Sequence, residues 1–226
     1  MTNHFDLPLT CYDPAAFIAT GYDFLDLVKR PEVAKRWNEP SALERLSVGA
    51  VAAHGLGNLE QVLDNCERPE PATPRFLGIV EYTRSARLDQ REDLDKYVGH
   101  AIIIDAAEKA ASEGPGPVIE RAEQWLEQLR WVLPAQDPDK HVYLPRLPPM
   151  AGALAMMVAN RTNELIVHMD DLAVSVDVLT PPIRPQAAAM ALTVLVSVSR
   201  KVNTDLELIR VMARAERAKP DAARAI

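Results

Sequence analysis

The sequence predicts an all-α fold built as an antiparallel bundle of long helices. Three observations predict it. Glycine is scarce (nine residues) and aromatics are few (three Trp, five Tyr, four Phe), while Ala, Leu, Val, Glu and Arg dominate. That mix favours helix over strand. Long windows carry apolar residues at helical spacing, and proline-rich breaks separate them. Beyond "HVYL" at 141–144, no run alternates apolar and polar residues as a half-buried strand would.

Each element has its own signal. Asp13-Pro14 sets an N-cap before a proline in the first helical position, opening a helix to about Lys29, just before Pro31. A second helix is expected over roughly 41–65, with Ser41 as cap and Glu44 three residues later completing a capping box. "CERPEPATPR" is a connection, and a helix or broken helix pair follows over about 76–112, ending at "EGPGP". Pro117 to Trp131 reads as another helix. The segment 133–149 is long and proline-rich, a loop of the length that is often either functional or disordered, and it is a candidate cover for a site. Residues 150–178 are expected to form the fifth helix, and after "TPPIRP" about 185–216 forms the last. The chain is expected to be one domain over 1–226, with 1–12 as an N-terminal extension.

Bulk properties narrow the function. The net charge is −7 and no basic stripe is present, so no nucleic-acid partner is expected. Cys11 and Cys66 are far apart and form no Cys-x-x-Cys pattern, which argues against both a disulfide framework and thiolate metal ligation. No apolar run approaches the ~18 residues a membrane span needs. No basic segment followed by an apolar run opens the chain, so the expectation is a cytoplasmic protein without a membrane partner, monomeric or homodimeric.

The fifth helix holds the informative feature, "NRTNELIVHMDDL" at 160–172. On a helical wheel, His168, Arg161, Asp171 and Asn160 all fall within roughly 60° of Glu164, flanked on both sides by apolar residues. Asn163 and Asp170 form a second, smaller polar arc. Either the Glu164 arc is the solvent face, or the Asn163/Asp170 arc faces outward and Glu164 and His168 point into the bundle. A buried carboxylate needs a cation or hydrogen bonds, and residues at i and i+4 can chelate a metal. A third ligand must then come from another helix. Among His4, His54, His100 and His141, the candidate is His54, in "VGAVAAHGLGNL", whose glycines permit close helix approach. The competing reading makes His54 a satisfied core or boundary histidine.

These segments resemble the DinB-like metal-binding superfamily, and more narrowly the N-terminal domain of mycothiol-dependent maleylpyruvate isomerases. The first matching segment holds Trp37, Pro40 and His54; the second holds Arg161, Glu164, His168, Asp171 and Leu172; "LIRVMARAERAKPDAARAI" also looks like the close of such domains. The resemblance runs over roughly 13–226. It implies a DinB-like four-helix bundle with additional helices, and a divalent ion, expected to be Zn²⁺, held by His54, Glu164 and His168. It further implies that mycothiol or a related thiol is cosubstrate at the open coordination position, acting on a small-molecule electrophile as an S-transferase or isomerase.

Within that reading Arg161 and Asp171 are the candidate catalytic residues, and Arg161 and Asn58 the candidate cofactor-binding residues. Arg161 grips a carboxylate of the cofactor or substrate, or else forms a structural salt bridge. Asp171 fixes the tautomer of His168, or else is exposed or caps another element. Two other functions stay open on the same fold: a non-catalytic metal-binding or sensor protein, and a metal-dependent hydrolase.

Overall fold

The computed structural model describes residues 9–72, 75–85, 98–144, 150–201 and 203–217. It is mostly helical, as the composition predicts, with one small sheet added. The helices are α1 (Pro14–Val28), α2 (Pro31–Lys35), α3 (Val48–Glu67), α4 (Ile79–Ser85), α5 (Val98–Ala111), α6 (Pro115–Val132), α7 (Leu154–Ser175), α8 (Pro185–Ser199) and α9 (Asp205–Ala213). The strands are β1 (Arg75–Phe76), β2 (His141–Tyr143) and β3 (Met150–Ala153), in the order β1-β3-β2. β1 runs parallel to β3, and β2 runs antiparallel to it.

Four helices close a ring: α3 packs on α7, α7 on α1, α1 on α6 and α6 on α3. α5 leans on α3 from outside, and α8 covers another side of α7. The ring is filled by Phe17, Phe24, Leu25, Leu56, Leu59, Leu126, Leu129 and Leu165, all fully buried or nearly so. Each such side chain contributes roughly 1.5–3 kcal/mol by leaving water.

The cap at the start of the first helix stands where the sequence puts it. Asp13 caps α1, its Oδ1 accepting from the Ala16 amide at 3.0 Å. Trp37 is buried and donates its indole N–H to the Ala111 carbonyl at 2.9 Å, tying the α2–α3 connection to the end of α5. Gly49 makes room for it, because a Cβ there would lie 2.5 Å from the indole ring.

Other boundaries move. α3 begins at Val48, not near Ser41. Its cap is Ser47, whose Oγ accepts from the Ala50 amide at 3.1 Å. Ser41 instead closes a turn through the Leu43 amide at 3.1 Å, and Arg45 at φ 68° interrupts any helix through this stretch. α7 begins at Leu154 because Met150–Ala153 pair with β1 and β2. The expected last helix is two helices. α8 stops at Ser199, and Thr204 starts α9 with a capping box: its Oγ1 accepts from the Glu207 amide at 3.2 Å, and Glu207 Oε2 accepts from the Thr204 amide at 2.9 Å. That box is written in the sequence as "TDLE" and outweighs the apolar periodicity running through it. The expected helix over 76–112 is represented by α4 and α5, and the join between them lies outside the described residues.

No helix among the described residues is long and apolar enough to cross a membrane.

Candidate metal centre

α3 is buried on nearly every side except a narrow stripe of His54, Gly57, Glu60, Gln61, Asp64 and Glu67. Apart from the half-buried Ala155 and Met156, α7 is buried through its first half, and it opens from Glu164 onward, through Val167, His168, Asp170, Asp171 and Val174. The two helices run antiparallel: Gly55 lies beside His168, and Asn58 meets Arg161. Their partly open stripes therefore begin at the same level.

Gly55 sets that closeness. A Cβ in its place would run into the Phe24 ring and lie 3.3 Å from Cβ of His168. With no side chain at 55, α3 and α7 approach until the His54 and His168 rings meet edge to face, 4.9 Å between centroids at an interplanar angle of 75°.

His54, Glu164 and His168 each offer one ligand atom, and these atoms lie within 4.8 Å of one another. His168 Nε2 is 3.5 Å from Glu164 Oε2. Two ligands on a tetrahedral ion at ~2.0–2.1 Å sit roughly 3.4 Å apart, so the α7 pair already spans one edge of such a polyhedron. The His54 nitrogen lies within 4.8 Å of both, so it would have to move inward to share an ion with them. The set of two imidazoles and one carboxylate suits Zn²⁺ and leaves a fourth position to an outside ligand. Both α7 side chains are mostly buried, at 13% and 20% exposure, so an ion there would be partly sheltered from water.

Asp171 completes the arrangement. Its Oδ2 lies 3.0 Å from Nδ1 of His168. A proton held at Nδ1 leaves the Nε2 lone pair for the ion, the arrangement in which a carboxylate orients a ligating histidine. Ser175 then fixes this end of the helix, donating from Oγ to the Asp171 carbonyl at 2.6 Å and accepting from the Ala42 amide at 2.9 Å.

The electrostatics describe a centre rich in carboxylate. Burial works against the charge of Glu164, but the hydrogen bond from His168 and the fields of Arg161, His168 and His54 outweigh it and hold the carboxyl well below its usual range. Burial also works against a charged His168, and the hydrogen bonds to Asp171 and Glu164 outweigh it, so the imidazole titrates above its ordinary value. Without a metal, a proton on His168 takes the place of the cation between the two carboxylates.

The remaining candidates divide. Arg161 is 7% exposed and, among the described residues, hydrogen-bonds only neutral acceptors: Asn58 Oδ1 at 2.9 Å, Gln61 Oε1 at 3.1 Å, Tyr82 Oη at 3.3 Å and Asn160 Oδ1. Its Nε has no partner among the described residues. The salt bridge weighed from the sequence is thus replaced by a neutral cradle, and Glu164 feels Arg161 through space. Asn58 is buried, and its amide donates to the Gly55 carbonyl at 2.9 Å while its oxygen receives Arg161. Asn58 is therefore placed to hold Arg161.

The two arcs of α7 resolve differently from either simple option. Asn163 is buried and only Asp170 is exposed, so the outward face is the Asp170 side of the second half alone. His141 is exposed on β2, 3.2 Å from Glu70 and tilted against Phe76, and it takes no part in the centre. The described part of 133–149 docks through Tyr143 on Asn65, eleven residues beyond His54 and so about 16 Å along α3. It does not cover the centre. His4 and the side chain of His100 lie outside the described residues.

Sequence reasoning missed Gln61 and Tyr82. Gln61 had a signal, standing seven residues after His54 on the same face of α3. Tyr82 is 79 positions from Arg161 and had none.

The fold and the centre together define a helical protein with a candidate divalent-metal triad between two antiparallel helices. Comparison with protein-family models, with curated proteins and with solved structures gave no match.

Proposed function

We propose that this protein has a DinB-like bundle and uses its triad as a catalytic metal centre for a low-molecular-weight thiol, with mycothiol the leading candidate. The reaction is S-transfer to, or isomerisation of, a small electrophile. The observation that carries the reading is the convergence of His54, Glu164 and His168 with Asp171 behind His168. A purely structural polar cluster has no need of two imidazoles and a carboxylate aimed at one point, and a closed structural zinc site would supply a fourth protein ligand.

When bound, a dication supplies Lewis acidity, lowering the pKa of a thiol in the open position from near ~8.5 into the physiological range. The chain's own residues do the rest. Glu164 brings the charge that balances the ion, Asp171 holds the proton at Nδ1 of His168, and Gly55 keeps both helices at ligating distance. The reaction class is attack by thiolate sulfur on an electrophilic carbon, forming a C–S bond. In transfer, the displaced electron pair leaves with the departing group. In isomerisation, it first moves onto the substrate, and after rotation it returns to re-form the double bond as sulfur departs.

Elemental analysis of untagged protein purified without chelator tests the metal, with one zinc per chain expected. Titrating cobalt-loaded protein with low-molecular-weight thiols tests the function: an intense sulfur-to-cobalt band is expected. A closed structural site gives no spectral change, and a hydrolase gives a water ionising near neutral pH with no thiol response. Either outcome sinks the thiol reading.

A further inference from the structure

Arg161 presents an imbalance that the metal reading does not absorb. It is a permanently charged guanidinium, 93% buried, and none of its hydrogen-bond partners among the described residues is a carboxylate. Burying an ion is costly, and neutral dipoles repay only part of that cost. Its four terminal N–H groups have four acceptors drawn from α3, α4 and α7, so the charge is held in one place. That place is one turn before Glu164 on α7 and one turn after His54 on α3, through Asn58.

The charge count follows. A dication, Arg161, Glu164 and Asp171, with both imidazoles neutral, sum to one unit of positive charge at a centre whose α7 side chains are mostly buried. A centre of that kind gains most from a ligand that brings one negative charge.

Resting on the metal reading, we propose that Arg161 makes the open position of this centre selective for anionic over neutral ligands. It is a positioning charge, acting through the field it sets at the open position and not by touching the ion. Gly57, on the open stripe of α3 with nothing within 4 Å of an added Cβ, leaves space beside the centre. The ligand class is therefore a monoanionic donor, thiolate or carboxylate, in preference to a neutral amine or imidazole.

The test uses cobalt-loaded full-length protein and two probes, azide as the monoanion and imidazole as the neutral ligand, each titrated by the visible spectrum of the metal. Arg161→Met removes the charge. Gln61→Glu keeps the arginine and sets a carboxylate against it from a half-buried position, which protects the measurement if Arg161→Met does not fold. Both variants are expected to weaken azide binding about tenfold or more, while imidazole binding stays within about twofold. Arg161→Lys is expected to retain most of the azide affinity. Equal loss for both probes means that Arg161 only shapes the pocket, and unchanged azide affinity means that its field does not reach the open position; either result overturns the proposal. Wild-type protein that binds no cobalt fails at the earlier step and removes the metal reading itself.

Discussion

The two halves of α7 solve the same problem in opposite ways. The first half buries a cation, Arg161, and surrounds it with Asn58, Gln61, Tyr82 and Asn160, all neutral acceptors. The second half gathers Glu164, His168 and Asp171, a set of acceptors and lone pairs, and with His54 aims three ligand atoms at one point. The first cluster has its hydrogen bonds nearly completed by protein atoms, although its charge has no counter-charge in contact with it among the described residues; the second is balanced only by a proton or a metal. The difference teaches how to separate polar structure from polar function on one helix. A cluster whose members complete each other holds the fold, and a cluster of like members needs something from outside.

The sharpest way to break this contrast is His168→Ala. It is expected to lower metal affinity by a thousandfold or so, since one of three protein ligands is lost, and to lower apo stability at neutral pH as well, because Glu164 and Asp171 lose the imidazole between them. Equilibrium dialysis with zinc and a thermal melt in chelator read both. Unchanged metal binding would mean that the second half is ordinary polar surface.

Arg161→Ala is the reciprocal experiment. It orphans several buried acceptors and leaves a void, so a loss of about 3 kcal/mol is expected in urea unfolding of the metal-free protein. A loss below about 1 kcal/mol would show that the first cluster does not hold the fold.

Asp171→Asn tests the support behind His168. The expected effect is about tenfold weaker zinc binding with the bound-cobalt geometry kept. No change would make Asp171 a bystander.

The smallest expected effect is that of pH on the metal-free protein. His168 is charged between two carboxylates, and its raised pKa, near 9, stabilises the fold fully below the unfolded value of about 6.5. That contribution is lost as pH rises from about 6.5 through 9. Glu164 acts with the opposite sign: its lowered pKa contributes stability above the ordinary carboxyl range and loses it as pH falls through the folded value. Melting temperature in chelator is thus expected to decline modestly from neutral to alkaline pH, and the alkaline decline is expected to vanish in His168→Ala. Zinc addition near pH 7.5 is expected to release a proton, measurable by a pH indicator in weak buffer. A flat alkaline limb with no proton release would leave His168 outside the charge balance.

Much of the architecture could be read before any coordinates. The Asp13-Pro14 start, the proline breaks and the helical composition place α1, α6 and the body of α3 and α7 close to where they stand. The errors lie where two signals compete within a few residues. Ser41 carries a capping-box pattern with Glu44, but the Arg45 turn separates it from α3, whose cap is Ser47. Periodicity runs on through 200–204, but the Thr204 capping box divides α8 from α9.

By itself the sequence determined what neighbouring residues on one helix must do. Glu164 and His168 share a face because they are four apart, and Asp171 reaches Nδ1 because it is three further on; helical pitch settles both. Only the tertiary structure decided which part of that face is sheltered, that His54 meets it, and that Arg161 is cradled by neutral groups from α3 and α4 as well as from α7. Those contacts join positions about a hundred residues apart. Their distances depend on how closely helices pack, which Gly55 and Phe24 control through volume rather than through any local pattern.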